Sequence, residues 1–462
     1  MRNILAIARL TFWEGVRMRI VLVFVIVLVF VMLRLPFTVR GDETVAGQLQ
    51  TFLDYSLGAT SVLLGLATVF LACATLTSDI KSMTIHLVVA KPVSRFEILV
   101  GKWLGINALM LLLVILCGGT IYGFARLVRS RPAEFTRDAV AVRDVVWRAR
   151  VAATPTRPPE LEAAAREWYQ SQLNQGQRFA TDERFVVAQR VKELEREWRM
   201  IPPGHLRIYL FAGLIPPREA DAAIQVRYRA RGQPMPLTER LKIDFAFADP
   251  DTLQQMGVWH QTEESTGDWH QFLAHGQGVI KNGQAALIVG NPTPLTSRIA
   301  VYFDQDEWLE LLYNIGSFEE NYAKTLLIIW ARLAMLSAVG LFFSVFTTFP
   351  VACFCVLTFY TICVGMPFWL EAVGAELELR TDDLDPYGRF GPAVRLFLVP
   401  IMRFAFPNFG EYNGARLLID GKYIPGELLL RSLAHTLVYG TLLLVLPGWL
   451  IFRRREIAEV TA

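Results

Sequence analysis

The chain has 462 residues, 53% of them hydrophobic and 19% charged, with mean hydropathy +0.35. That is too apolar for an ordinary soluble protein and too polar for a bare membrane bundle, so a membrane domain is expected beside a sizeable aqueous one. A formal net charge of +3 gives no case for a nucleic-acid partner.

Residues 3–18 mix Ile4, Leu5, Ile7, Ala8, Phe12 and Val16 with Arg9, Glu14 and Arg17. They read either as an amphipathic elbow in the inner interface or as a cytosolic extension of the span that follows. A span needs about 20 apolar residues. Six runs are expected to supply one: Ile20–Phe37, Ser56–Thr77, Leu104–Leu127, Leu326–Phe346, Val351–Leu370 and Leu433–Phe452. The first is too long for a signal peptide, and no small-residue cleavage site follows it. Thr347-Thr348-Phe349-Pro350 separates the fourth and fifth as a tight turn, the alternative being one long kinked helix. Arg2, Arg9, Arg17 and Arg19 at one end and Arg453-Arg454-Arg455 at the other place both termini inside. The expected fold is therefore an α-helical polytopic membrane protein with six transmembrane helices, N-in and C-in.

Residues 78–105, SDIKSMTIHLVVAKPVSRFEILVGKWLG, form a short basic loop between two apolar runs. Lys81, Lys91, Arg95 and Lys102 make it cytoplasmic by the positive-inside rule. It is tied closely to two spans, so a soluble engine pushing on it would move both.

Residues 128–322, between the third and fourth spans, are expected to be an extracytoplasmic domain. Its helical part covers 160–200. Val187, Val191, Leu194 and Trp198 fall on one face there. Its β-rich part covers 205–305, where the period changes to two. Ile208, Leu210 and Ala212 alternate with polar or aromatic neighbours. So do Ile224, Val226 and Tyr228, then Leu241, Ile243, Phe245 and Phe247, then Ala285, Leu287 and Val289, and finally Ile299, Val301 and Phe303. Turn signals between them predict a β-sandwich-like fold. Residues 374–428, before the last span, read as an interfacial segment of the C-terminal region 323–462.

Few residues carry chemistry. All five cysteines (Cys73, Cys117, Cys353, Cys355 and Cys363) lie in apolar runs and read as packing residues. The aqueous part offers no disulfide framework. His260, His270 and His275, with Glu263, Glu264 and Asp268 between, are candidate zinc donors. Their spacing matches no metal site that can be argued physically, and a polar hairpin or loop accounts for them. No catalytic, cofactor-binding or metal residue is expected. Arg332 is a membrane-embedded charge that either snorkels to the outer headgroups or lines a pathway. His435 reads as a hydrogen-bonded interior residue. No Gly-x-x-x-x-Gly-Lys-Ser/Thr occurs, so any nucleotide chemistry belongs to another polypeptide.

The pattern Asp79 … Thr84-Ile85 … Lys91-Pro92-Val93-Ser94-Arg95-Phe96-Glu97 … Gly101-Lys102 resembles the first cytoplasmic loop of ABC-2 type transporter permeases. It is most similar to the subgroup that includes the permease of nitrous-oxide-reductase maturation. Ala6-Ile7-Ala8-Arg9 resembles the family's interfacial elbow, and Ile451-Phe452-Arg453-Arg454-Arg455-Glu456 its usual ending. Ser317-Phe318 with Asn321-Tyr322 is similar to members with a large exoplasmic insertion. Many members carry Glu-x-x-x-Gly-Thr where Asp79 and Ser82-Met83-Thr84 stand here. The resemblance implies a half-transporter that pairs with a second copy or homologue in the lipid bilayer and docks a cytosolic ABC ATPase subunit. The coupling loop would then comprise Asp79, Lys81, Thr84, Ile85, Lys91, Pro92, Ser94, Arg95 and Glu97, and residues 374–428 would be the family's outer re-entrant element. Two further readings stand beside it: a non-transporting complex that delivers ATP-driven motion to the outer domain, and a membrane-anchored enzyme using the His260, His270 and His275 region.

Overall fold

A computed structural model describes residues 2–38, 44–82, 93–130, 142, 146–179, 183–215, 224–235, 240–274, 278–303, 308–379 and 406–454. The chain divides into two units, Met1–Trp147 with Ser317–Ala462, and Arg148–Gly316.

The first unit is helical. Helix α1 (Arg2–Arg17) is amphipathic and meets α2 (Arg19–Thr38) at a 62° bend across Met18. Helix α3 (Val45–Lys81) starts at Thr44, whose hydroxyl accepts from the Gly47 N–H at 3.0 Å. Along α3 the buried Thr60, Thr68 and Thr75 donate back to the carbonyls one turn earlier, so no hydroxyl is left dry and unbonded. Helix α4 (Arg95–Arg129) opens on a capping box: the Ser94 hydroxyl accepts from the Glu97 N–H, and the Glu97 carboxylate accepts from the Ser94 N–H.

Four described helices are long and apolar enough to cross a membrane: Val45–Lys81, Arg95–Arg129, Phe318–Ser344 and Phe349–Leu370. Five are, if the bent pair α1 and α2 is counted as one broken span. The last apolar run forms no single long α-helix. It divides into a π-helical stretch, Leu433–Gly440, and an α-helix Thr441–Arg454 that holds Pro447. Proline lacks the N–H that would bond the carbonyl one turn back.

In the second unit, β1 (Arg148–Ala153) precedes two helices, α5 (Glu160–Asn174) and α6 (Glu183–Trp198). Strands β2 to β11 follow: Met200–Ile201, Leu206–Phe211, Ile224–Tyr228, Arg231–Gln233, Arg240–Ala248, Gln255–Ser265, His270–Ala274, Ala285–Gly290, Ala300–Tyr302 and Leu309–Ser317. They form two four-stranded sheets, β1-β11-β4-β8 and β3-β9-β6-β7, with a three-stranded sheet β2-β10-β5. Inward residues of the two larger sheets share one apolar core, as in a sandwich; Tyr228 and Phe245 meet across it at 4.7 Å between ring centres. The turn at Asn282-Gly283 has both residues at positive φ, which the short Lys281–Gln284 connection requires.

Two expectations invert or sharpen here. In β3 the inward residues are Tyr209 and Phe211, whereas Ile208 and Leu210 face out. Aromatic side chains bury more area than their aliphatic neighbours, so they won the core side of the period. The His260 and His270 region is not a loop but two strands in different sheets, with His260 in β7 and His270 in β8. His275 lies outside the described residues.

After Ser317, α7 (Phe318–Ser344) and α8 (Phe349–Leu379) are separate helices, so the turn at residues 345–348 is real and the single kinked helix is not formed. Helix α7 is the hub of the membrane unit and is buried almost all round from Ala331 to Leu341. Short helices α9 (Gly414–Ile419) and α10 (Gly426–Ser432) lead into the π-helical stretch, and Thr441–Arg454 is α11.

Candidate coupling site

The predicted coupling residues fall at the facing ends of α3 and α4. Asp79 and Lys81 close α3; Ser94, Arg95 and Glu97 open α4. Thr84, Ile85, Lys91 and Pro92 lie outside the described residues.

The described ones are not alike. Asp79 accepts an ion pair from Lys102 at 2.6 Å, and Lys102 is buried at 5% side-chain exposure. The Lys102 ammonium also donates to the Thr75 carbonyl at 3.3 Å. Glu14 of α1 faces the same Lys102 and Asp79. Three charges from α1, α3 and α4 thus meet at the root of the loop, and α3 and α4 are tied where the chain leaves and rejoins them. A buried pair of this kind adds little net stability, yet removing one partner strands the other and costs about 3–5 kcal/mol.

Arg95 turns inward. Its guanidinium donates to the carbonyl of Phe452 and, at 3.1 Å, to that of Arg453, and it stands 5.4 Å over the Phe452 ring. The unpaired carbonyls at the C-terminal end of α11 carry the negative pole of the helix, which suits a cation. Phe96 packs edge-on against Trp449 beside it. The loop's second root is thereby clamped to the last helix. Among the described loop residues, Lys81 is exposed at the end of α3.

Helix α1 lies against α4 because α4 carries Gly101 and Gly105 one turn apart. A Cβ on Gly101 would come within 2.8 Å of Ile7, and one on Gly105 within 2.5 Å of the Ala8 carbonyl oxygen. A side chain at Gly105 would force two backbones apart. Sequence reading missed this pair, Glu14, and the role of Lys102; the visible signal was the Gly101-x-x-x-Gly105 spacing, familiar from close helix contacts in membranes.

Farther along, α4 is joined to α7 by polar contacts. The Asn107 amide donates to Ser337 Oγ at 3.1 Å, the Trp103 indole donates to the Ala334 carbonyl at 3.0 Å, and the Trp330 indole donates to the Asn107 carbonyl at 3.1 Å. Asn321 of α7 clamps residues 422–424, accepting from the Ile424 N–H at 2.8 Å and donating to the Lys422 carbonyl at 2.7 Å. Arg332 Nη2 donates to the carbonyls of Phe409 and Tyr412, and the guanidinium stands 5.3 Å over the Phe409 ring. His435 is hydrogen-bonded, with Nδ1 3.1 Å from the Tyr412 hydroxyl.

Among the described residues no group of histidine, cysteine and acidic side chains is placed to hold a metal. His260 stacks on Phe272 at 3.9 Å, and the His270 ring bonds the Ser265 carbonyl at 2.8 Å.

Residues 5–135 match the model of a family described as ABC-2 family transporter protein. No curated protein and no solved structure gives a match. The matched stretch spans α1 to α4 and contains the whole Glu14, Asp79 and Lys102 cluster. With the long apolar helices it supports a multi-pass, membrane-integral protein whose N-terminal part is similar to the membrane permeases of ABC transporters.

Proposed function

We propose that the chain is the membrane-spanning permease subunit of an ABC-2 type exporter in a bacterial cytoplasmic membrane. It has six spans with both termini inside and works as a pair with a second copy or a homologue. A separate cytosolic ATPase docks on residues 78–103. The observation that carries this reading is the way both roots of that loop are held. Asp79 is locked to Lys102, Ser94 and Glu97 cap α4, and Arg95 is bonded to the end of α11. A push on the loop would therefore reach α3, α4 and α11 together and bias the bundle between two arrangements. Lys81, Thr84, Ile85, Lys91 and Pro92 are the proposed contacts to the ATPase, whereas Asp79, Ser94, Arg95 and Glu97 transmit the push.

The test is co-purification of the ATPase with this chain. Scrambling residues 83–92 is expected to abolish ATPase recovery while the permease stays folded; a complex that survives the scramble would sink the docking assignment.

A second reading is favoured by the size of the Arg148–Gly316 unit, which has its own core. In it, ATP-driven motion is delivered to that unit, on the extracytoplasmic side, to act on a partner. Transport into vesicles that persists after removal of residues 155–291 would favour the exporter over this alternative.

A further inference from the structure

The end of the membrane unit away from the loop holds a cavity of about 370 Å³ between α3, α7 and α9, large enough for a small headgroup or metabolite. Its wall includes Asp54, Gly58, Ser61, Arg332, Asn413 and Arg416. Two guanidiniums and one carboxylate border one space, and none of the three is ion-paired among the described residues. Arg332 spends Nη2 on two carbonyls, but its Nε is buried without a hydrogen-bond partner. Carbonyls and the Phe409 ring, 5.3 Å away, are neutral, so among the described residues the guanidinium's charge has no counter-ion, in a setting where an uncompensated charge is costly.

From this we infer that the cavity binds an oxyanion, a phosphate group held by Arg332 and Arg416, with Asp54 placed to receive a cationic group on the same molecule. Guanidinium suits a phosphate through charge-assisted hydrogen bonds; with Nη2 spent on the Phe409 and Tyr412 carbonyls, Arg332 is left to offer single bonds, and Arg416 the two parallel ones. The position suits a phospholipid headgroup. Asp54 stands just before the apolar run that begins at Ser56, and Arg332 is about 9 Å along its helix from Leu326, where the other run begins. Asp54, Gly58 and Val62 follow one another on a single exposed face of α3, so the mouth opens on the outside of the bundle. A soluble phosphate ester presents the same chemistry. The inference does not depend on ATPase coupling.

Gly58 provides the decisive variant, because a Cβ there would meet nothing within 4 Å. Gly58→Leu should occlude the mouth without disturbing the packing. The full chain in detergent is titrated with phosphatidylglycerol, with phosphatidylethanolamine, with the matching diacylglycerol and with inorganic phosphate, and bound ligand is counted by native mass spectrometry. Wild type is expected to hold one phosphate-bearing molecule per chain and to bind diacylglycerol at least about tenfold more weakly, the worth of one charge-assisted contact. Gly58→Leu and Arg416→Gln should each weaken phosphate binding by a similar factor, and Arg332→Gln by more. Saturation by inorganic phosphate that resists lipid identifies a soluble phosphate; binding of the lipids alone identifies a headgroup; tighter phosphatidylethanolamine binding that Asp54→Asn removes confirms the cationic subsite. Diacylglycerol binding as tight as the phospholipids, or unchanged phosphate affinity in both Gly58→Leu and Arg416→Gln, overturns the inference. Because Arg332→Gln also loosens residues 409–412, its result counts only if Gly58→Leu agrees.

Discussion

The two ends of the membrane unit treat charge in opposite ways. At the loop end, Lys102 has the Asp79 carboxylate at 2.6 Å. At the cavity end, Arg332 has carbonyls and the Phe409 ring, and none of Arg332, Asp54 and Arg416 has an ion pair among the described residues. Paired charges at a helix root make a joint that transmits displacement. Unpaired charges around a void make a site that waits for a partner. The difference lies in packing: α1 is drawn tightly onto α4 at Gly101 and Gly105, whereas a Cβ on Gly58 would meet nothing within 4 Å.

This contrast can be broken most severely at Lys102. Lys102→Met leaves the part-exposed Asp79 and Glu14 without their cation and should cost about 3 kcal/mol. Denaturation in mixed micelles would register it as a large drop in midpoint, and adding Asp79→Leu should restore much of the loss. A single variant that unfolds like wild type would remove the joint from the argument. Next is Gly105→Leu, which must displace the Ala8 carbonyl; about 1–3 kcal/mol is expected for overpacking. Cross-linking between cysteines introduced on α1 and α4 would report whether the two helices part, and undiminished cross-linking would contradict the close contact. The smallest effect belongs to the cavity end. Arg416→Gln should change stability by no more than about 0.5 kcal/mol, as for an exposed side chain away from packed groups. A larger loss would mean that Arg416 is structural and not reserved for a ligand.

The second unit shows how far alternation alone carries a reading. Ile224, Val226 and Tyr228 face the core as the period of two implies, and so do Leu241, Ile243 and Phe245. In β3 the same period was legible but its phase was not, since both sets of side chains are apolar and only the competition for the core chose Tyr209 and Phe211. Strands β7 and β8 were hidden for another reason. Their faces are polar or half-exposed, as suits the outermost strand of each sheet, so no hydrophobic alternation marks them. The helical half was plainer: Val187, Val191 and Leu194 do share the less exposed side of α6.

The sequence by itself determined where four long apolar helices run, where the β-rich region begins, and which short stretch is both basic and bounded by apolar runs. Those are local properties, written in hydropathy, period and charge along neighbouring residues. Only the tertiary structure decided that Arg95 bonds to residues 452–453, that Glu14, Asp79 and Lys102 converge, and that Asp54, Arg332 and Arg416 border one cavity. Each of those groupings joins residues far apart in the chain. A charge in isolation looks the same whether it will meet a carboxylate, a helix end or an empty space, and only the packing of helices selects among them.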